Sequence, residues 1–116
     1  MKESYMSENT YPTISMDEAK QRLQAGDTLQ HVHIERFIMN KYDISYPIQL
    51  EECTINHLDF NKSTFLEEVN LRRCEIQNLI FTEAIFQKKV NLKQTFVGHG
   101  RVQRAEFHDD FSWVTN

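Results

Sequence analysis

Glycine and proline are scarce in this chain, with three Gly and two Pro among 116 residues. With 40% hydrophobic residues, that scarcity excludes a disordered linker. Cysteine is nearly absent as well. Cys53 and Cys74 form no CxxC pair, so they do not specify a zinc site. Long apolar runs are missing: nothing approaches the roughly 20 apolar residues that a membrane helix needs. The stretch from Met1 to Pro12 is polar and lacks the apolar centre of a secretion signal. These absences imply one soluble, cytoplasmic domain with no membrane partner.

What the chain does have is a period of 21 residues, repeated four times. Leu29, Leu50, Leu71 and Leu92 form one column. Ile34, Ile55, Ile76 and Val97 form the next, followed by Met39, Phe60, Phe81 and Val102, then Ile44, Phe65, Phe86 and Phe107. Within a row the spacing is five, and a step of six leads to the next row. A second inward position lies two residues before each centre: Ile48, Cys53, Leu58 and Ser63 in one row, and Val32, Phe37 and Tyr42 in the row before it. A spacing of two puts both residues on one face of a short extended segment. The residues between must turn the chain, so four sides make one coil and the coils stack. At about 4.8 Å per strand, four coils rise roughly 19 Å. The sixth residue of each row enlarges one corner to three residues: Ser45-Tyr46-Pro47, Leu66-Glu67-Glu68, Gln87-Lys88-Lys89 and His108-Asp109-Asp110.

Ahead of the repeat, the sequence predicts a flexible leader over 1–12 and a short capping helix within 13–26. Ser15 and Glu18 match the capping box, Met16, Ala19 and Leu23 share one stripe, and Gly26 suits a helix end. The solenoid then runs over 27–116. Phe111 and Trp113 fall in the Val90 and Leu92 columns, so a fifth coil starts and is left after one side.

The pattern resembles the pentapeptide-repeat proteins, whose motif is A(D/N)LXX. Val69-Asn70-Leu71, Val90-Asn91-Leu92, Leu58-Asp59-Phe60 and Ala84-Ile85-Phe86 carry it best. The resemblance covers about Leu29 to Trp113. It implies an all-β solenoid, a right-handed quadrilateral β-helix of about four coils, with the helix from Ser15 to Ala25 plugging its N-terminal end. The chain departs from the motif at Ile80, Ile85 and Phe96, which stand where Asp or Asn belongs, and at Leu58 and Leu79, which replace the small residue.

Few side chains suggest chemistry. Cys53 and Cys74 share a column in adjacent coils, within disulfide range, and read as two buried free thiols. His31 and His33 alternate with Val32 and Ile34, which predicts that both point outward. His57 and His99 share a column with Asn78 between them, so they stand about 9.6 Å apart, too far for one metal ion. Gly98-His99-Gly100 lacks the Lys-Ser/Thr of a phosphate loop and reads as a relaxed turn. No nucleophile, base and orienting acid assemble. The sequence therefore predicts no enzyme, no cofactor and no metal.

Charge is unevenly placed. Asp43 to Glu68 holds six acids and Lys62, whereas Val69 to Ala105 holds seven bases against Glu75 and Glu83. Lys88, Lys89, Lys93, Arg101 and Arg104 form a candidate basic docking face. Without surface aromatics for base stacking, that face does not argue for nucleic acid. The sequence points instead to a non-catalytic structural or protein-interaction module. Its partner is an unspecified protein, and Phe111 and Trp113 are expected to be covered by a second copy or by a segment outside this sequence, because open solenoid ends need caps. The family resemblance supplies an alternative, a DNA mimic that binds a type II topoisomerase.

Overall fold

A computed structural model describes residues 11–113 of the chain. The expected leader lies outside them, apart from Tyr11 and Pro12. Helix α1 spans Met16–Gln24. The Ser15 hydroxyl accepts the Glu18 amide at 3.0 Å, and Gly26 follows the helix at φ +95°. Ala19 and Leu23 are fully buried. The helix is too short to persist alone, so this docked stripe is what holds it. Among the described residues, no helix is long and apolar enough to cross a membrane.

Among the described residues, thirteen short strands follow: β1 (Leu29–Gln30), β2 (His33–Ile38), β3 (Asp43–Ile44), β4 (Ile48–Glu51), β5 (Thr54–Asp59), β6 (Thr64–Phe65), β7 (Val69–Arg72), β8 (Glu75–Ile80), β9 (Ile85–Phe86), β10 (Val90–Asn91), β11 (Phe96–Arg101), β12 (Glu106–Phe107) and β13 (Phe111–Ser112). They form three parallel sheets, β1-β4-β7-β10-β13, β2-β5-β8-β11 and β3-β6-β9-β12. Paired residues are 21 apart, as in Leu29↔Leu50, Ile55↔Ile76 and Val90↔Phe111. The sequence period is therefore the turn of a β-solenoid of about four coils.

The column centres fill the interior. Phe65, Phe86 and Phe107 stack with centroids 5.1 Å apart at each step, and Phe60 stacks on Phe81 at 5.8 Å. Small polar residues serve a separate purpose. Where the chain turns, a backbone carbonyl loses its ladder partner, and burial makes that costly. The Ser63 hydroxyl donates to the Met39 carbonyl and accepts the Tyr42 amide at 3.1 Å. Thr95 does the same for the Leu71 carbonyl and the Cys74 amide. The thiols of Cys53 and Cys74 donate to the Leu29 and Leu50 carbonyls at 3.4 and 3.6 Å. The four bonds to carbonyls each reach back 24 residues, to the coil below.

The corners show what the sequence hides. Two per coil are left-handed: His31, Glu52, Arg73 and Gln94 in one column, Lys41, Lys62, Glu83 and Arg104 in the other, all with φ between 54° and 62°. None of the eight is Gly or Asn, so each holds a backbone that costs about 1–2 kcal/mol for an L-residue. Two of the motif Asp and Asn residues support the turns beside them. Asp59 accepts the Asn61 amide at 3.0 Å, and Asn91 accepts the Lys93 amide at 2.9 Å.

Three expectations are corrected. Tyr42 is 54% exposed rather than inward, because its column narrows to Ser63 and Ala84, both fully buried, and leaves no room for a phenol ring. Gly98 and Gly100 lie inside β11, not in a turn. A Cβ on Gly98 would stand 2.7 Å from the Gln77 carbonyl oxygen, so close backbone approach explains that glycine. His31 and His33 do not share one outward face. His31 sits at a left-handed corner with its ring 2.8 Å from Glu52, while the His33 side chain is only 12% exposed, between Thr54 and Glu35.

Candidate functional site: the open end of the solenoid

The repeat passes backbone hydrogen bonds from coil to coil, and following each column upward shows where they stop. The amides of Met39, Phe60 and Phe81 donate to the Asp59, Ile80 and Arg101 carbonyls. Val102 is next in that column. The amides of Lys41, Lys62 and Glu83 donate to Asn61, Thr82 and Gln103, and Arg104 is next. The carbonyls of Tyr42, Ser63 and Ala84 accept from Thr64, Ile85 and Glu106, and Ala105 is next. Those of Ile44, Phe65 and Phe86 accept from Leu66, Gln87 and His108, and Phe107 is next. Among the described residues, nothing continues these four columns.

A fifth column ends differently. The Val32, Cys53 and Cys74 carbonyls accept from Thr54, Glu75 and Phe96. The next carbonyl, Thr95, takes the indole N–H of Trp113 at 3.2 Å. Phe111 supports that placement by stacking on Phe107 at 4.4 Å. Trp113 therefore covers one corner of the end, and among the described residues nothing covers the rest of the rim.

The same end gathers exposed apolar side chains. Phe96, Val102, Phe111 and Trp113 are 57%, 46%, 39% and 41% exposed, and beside them the described residues show only Tyr42 and Leu66 as exposed large hydrophobics. Phe111 and Trp113 were legible as an end from their columns. Phe96 and Val102 were missed, although Phe96 occupies a motif position meant for Asp or Asn, which is an outward one.

The five bases do not form one face. Lys88 and Lys89 sit in the three-residue corner before β10. Lys89 and Lys93 line a shallow depression with Asn91, Asp110 and Ser112. Arg101 ends β11, and Arg104 occupies a left-handed corner where it pairs with Glu83 at 2.6 Å. The two arginines thus lie across the solenoid from the lysines. Elsewhere, acids and bases meet across coils. Glu51 receives Arg72 and, at 3.2 Å, Gln30, and these bonds, Arg72 first, hold its carboxyl below the usual range. Glu35 is lowered in the same way by His33 and then Asn56.

The two cysteines are free and buried. The Cys74 thiol is pushed well above its ordinary range, first by the neighbouring Cys53 thiol and then by burial. Both act as core residues that donate to carbonyls. His57 and His99 each pair with Asn78 from opposite sides, as their spacing requires. Among the described residues, no group of three or more His, Cys, Asp or Glu could hold a metal ion. No family model matches the chain, and no curated protein or solved structure resembles it significantly.

Proposed function

We propose that this chain is a non-catalytic protein-interaction module, a pentapeptide-repeat-type solenoid that docks partners through its open end. One observation carries the reading: among the described residues, exposed apolar side chains and unused backbone groups coincide at one end of the solenoid. Unpaired strand edges are templates for another chain. The acids that could serve chemistry are engaged elsewhere, since Glu51 and Glu83 are held in cross-coil ion pairs. The DNA-mimic alternative needs a continuous acidic face, whereas the outward columns alternate Glu51 with Arg72 and Glu83 with Arg104.

The test is position-specific photo-crosslinking in cells. A photoreactive side chain at Val102, on the open end, should give discrete protein adducts. The same group at Gln77, exposed on the wall, should give few. Equal labelling at both positions would remove the end as the docking element.

A further inference from the structure

We infer that the partner at the open end is a second copy of this chain, related by a two-fold axis through the two left-handed corners. This rests on the interaction-module reading and goes further by fixing the partner and its orientation. Each coil climbs one strand spacing, about 4.8 Å, over its four sides. The open end is therefore a ramp. Its lowest side is Thr95–Val97, followed by Gly100–Val102 and Ala105–Phe107, and its highest is Phe111–Trp113, one coil above Val90.

Two such ramps meet evenly in one way. The axis must exchange the highest side with the lowest and the two middle sides with each other. It then passes through the corner at Gln94 and the corner at Arg104, both left-handed. On all four sides the gap between copies is the same. About the other diagonal, two sides would touch while the other two stayed a full strand spacing further apart.

The chemistry of the sides fits this axis. By their columns, Val102 and Arg104 offer amides and Gly100 both groups on one middle side, and Ala105 offers a carbonyl and Phe107 both groups on the other. The axis sets these two edges against each other as antiparallel strands, which exchange amide and carbonyl partners. Charge agrees. Residues 84–105 contain five bases and no acid, whereas Glu106, Asp109 and Asp110 follow directly. Arg104 is held by its own Glu83, so Arg101 is the base that faces Glu106 and Asp109 of the second copy. On the remaining sides, the axis sets Phe111 and Trp113 over Val97 and Thr95 of the second copy, with Phe96 at the outer rim beside its Ser112. The contact is isologous, so it closes at two copies.

Two charge-reversed chains test this. Arg101→Glu makes the end acidic, and Glu106→Lys with Asp109→Lys makes it basic. Sedimentation at about 50 μM should show a dimer for the natural chain. Each variant alone should associate at least about tenfold more weakly, and their equimolar mixture should form a heterodimer. Thermal melts check that both variants fold. The unsubstituted chain gives an independent readout, because Trp113 is its only tryptophan: its emission should shift to longer wavelength on dilution. A monomeric natural chain, or a mixture no better than its components, overturns the two-copy inference. If that monomer still cross-links from Val102 to another protein, the interaction-module reading survives alone. If it does not, both readings fail.

Discussion

The N-terminal and C-terminal ends of the solenoid expose the same kind of coil and meet solvent differently. At the first end, α1 lays Ala19 and Leu23 over the core, and the Met16 sulfur accepts the Ile38 amide at 3.3 Å. The segment before α1 supplies the missing strand edge: His33 donates to the Pro12 carbonyl at 2.8 Å, and Ile14 donates to the His33 carbonyl at 2.9 Å. At the other end, Trp113 satisfies Thr95 alone, and Val102 is 46% exposed although its column mates Phe60 and Phe81 are fully buried. A repeat therefore specifies the stacking of coils but not the closing of the stack. Closure needs sequence of a different kind, and at the first end that is a capping box with an apolar stripe.

The largest test of this contrast compares truncations at the two ends. Leu23→Ala, under the cap, should lower unfolding free energy by about 2–5 kcal/mol, through lost burial and a cavity. Val102→Ala, measured at low concentration, should stay within about 0.5 kcal/mol, as exposed positions do. Urea denaturation of both variants checks this, and equal losses would show the end to be covered in solution.

The inner hydroxyls come next. Ser63→Ala strands the Met39 carbonyl and the Tyr42 amide and should cost about 1–3 kcal/mol, the range for unsatisfied buried groups. Amide exchange of Tyr42 should speed up with it. A loss near zero would mean that water replaces the hydroxyl.

A subtler comparison lies within β11. Gly98→Ala forces a Cβ against the Gln77 carbonyl and should cost about 1–3 kcal/mol. Gly100→Ala meets only Val97, at an ordinary 3.5 Å, and should be nearly neutral. Thermal melts of the pair separate a glycine required by backbone approach from one that is merely permitted.

The smallest effect is acid sensitivity. Glu51 and Glu35 have lowered carboxyl pKa values in the fold, so their stabilisation is complete above the unfolded value near 4.5 and fades as pH falls below it. The melting temperature should therefore decline below about pH 4.5. Glu51→Gln should flatten part of that decline, and about 0.5 M salt should reduce the difference. An identical profile for the variant would assign the acid response to other groups.

How far the sequence was legible follows from which forces were strong. The interior columns could be read because burial acts on residue type at every coil: Leu50, Ile55, Phe60 and Phe65 sit where the period places them. Tyr42 escaped because column arithmetic ignores volume, and Lys20 holds its ring outside with the ammonium 5.4 Å from the centroid. The left-handed corners were invisible, since Lys, Glu, Arg, Gln and His carry no signal for that backbone and are held there by the coils on either side. Gly98 misled because glycine's turn signal and its role in close approach look alike in one dimension. At the open end, Phe111 and Trp113 followed from counting, whereas the ramp, and with it the pairing of sides, requires the rise of the coil.

The bonds that link each residue to positions 20 to 22 further on make the length of this protein a counted quantity. Removing 53–73 would join Glu52 to Cys74, which share column neighbours, and each surviving amide and carbonyl would find an equivalent partner. Removing five residues would keep the apolar pattern locally but turn every later side a quarter of the way round, so that left-handed corners would meet the corners that are not left-handed. Change in this architecture is therefore discrete. A coil is gained or lost whole, and the open end moves along the axis by one strand spacing while its corner geometry stays the same.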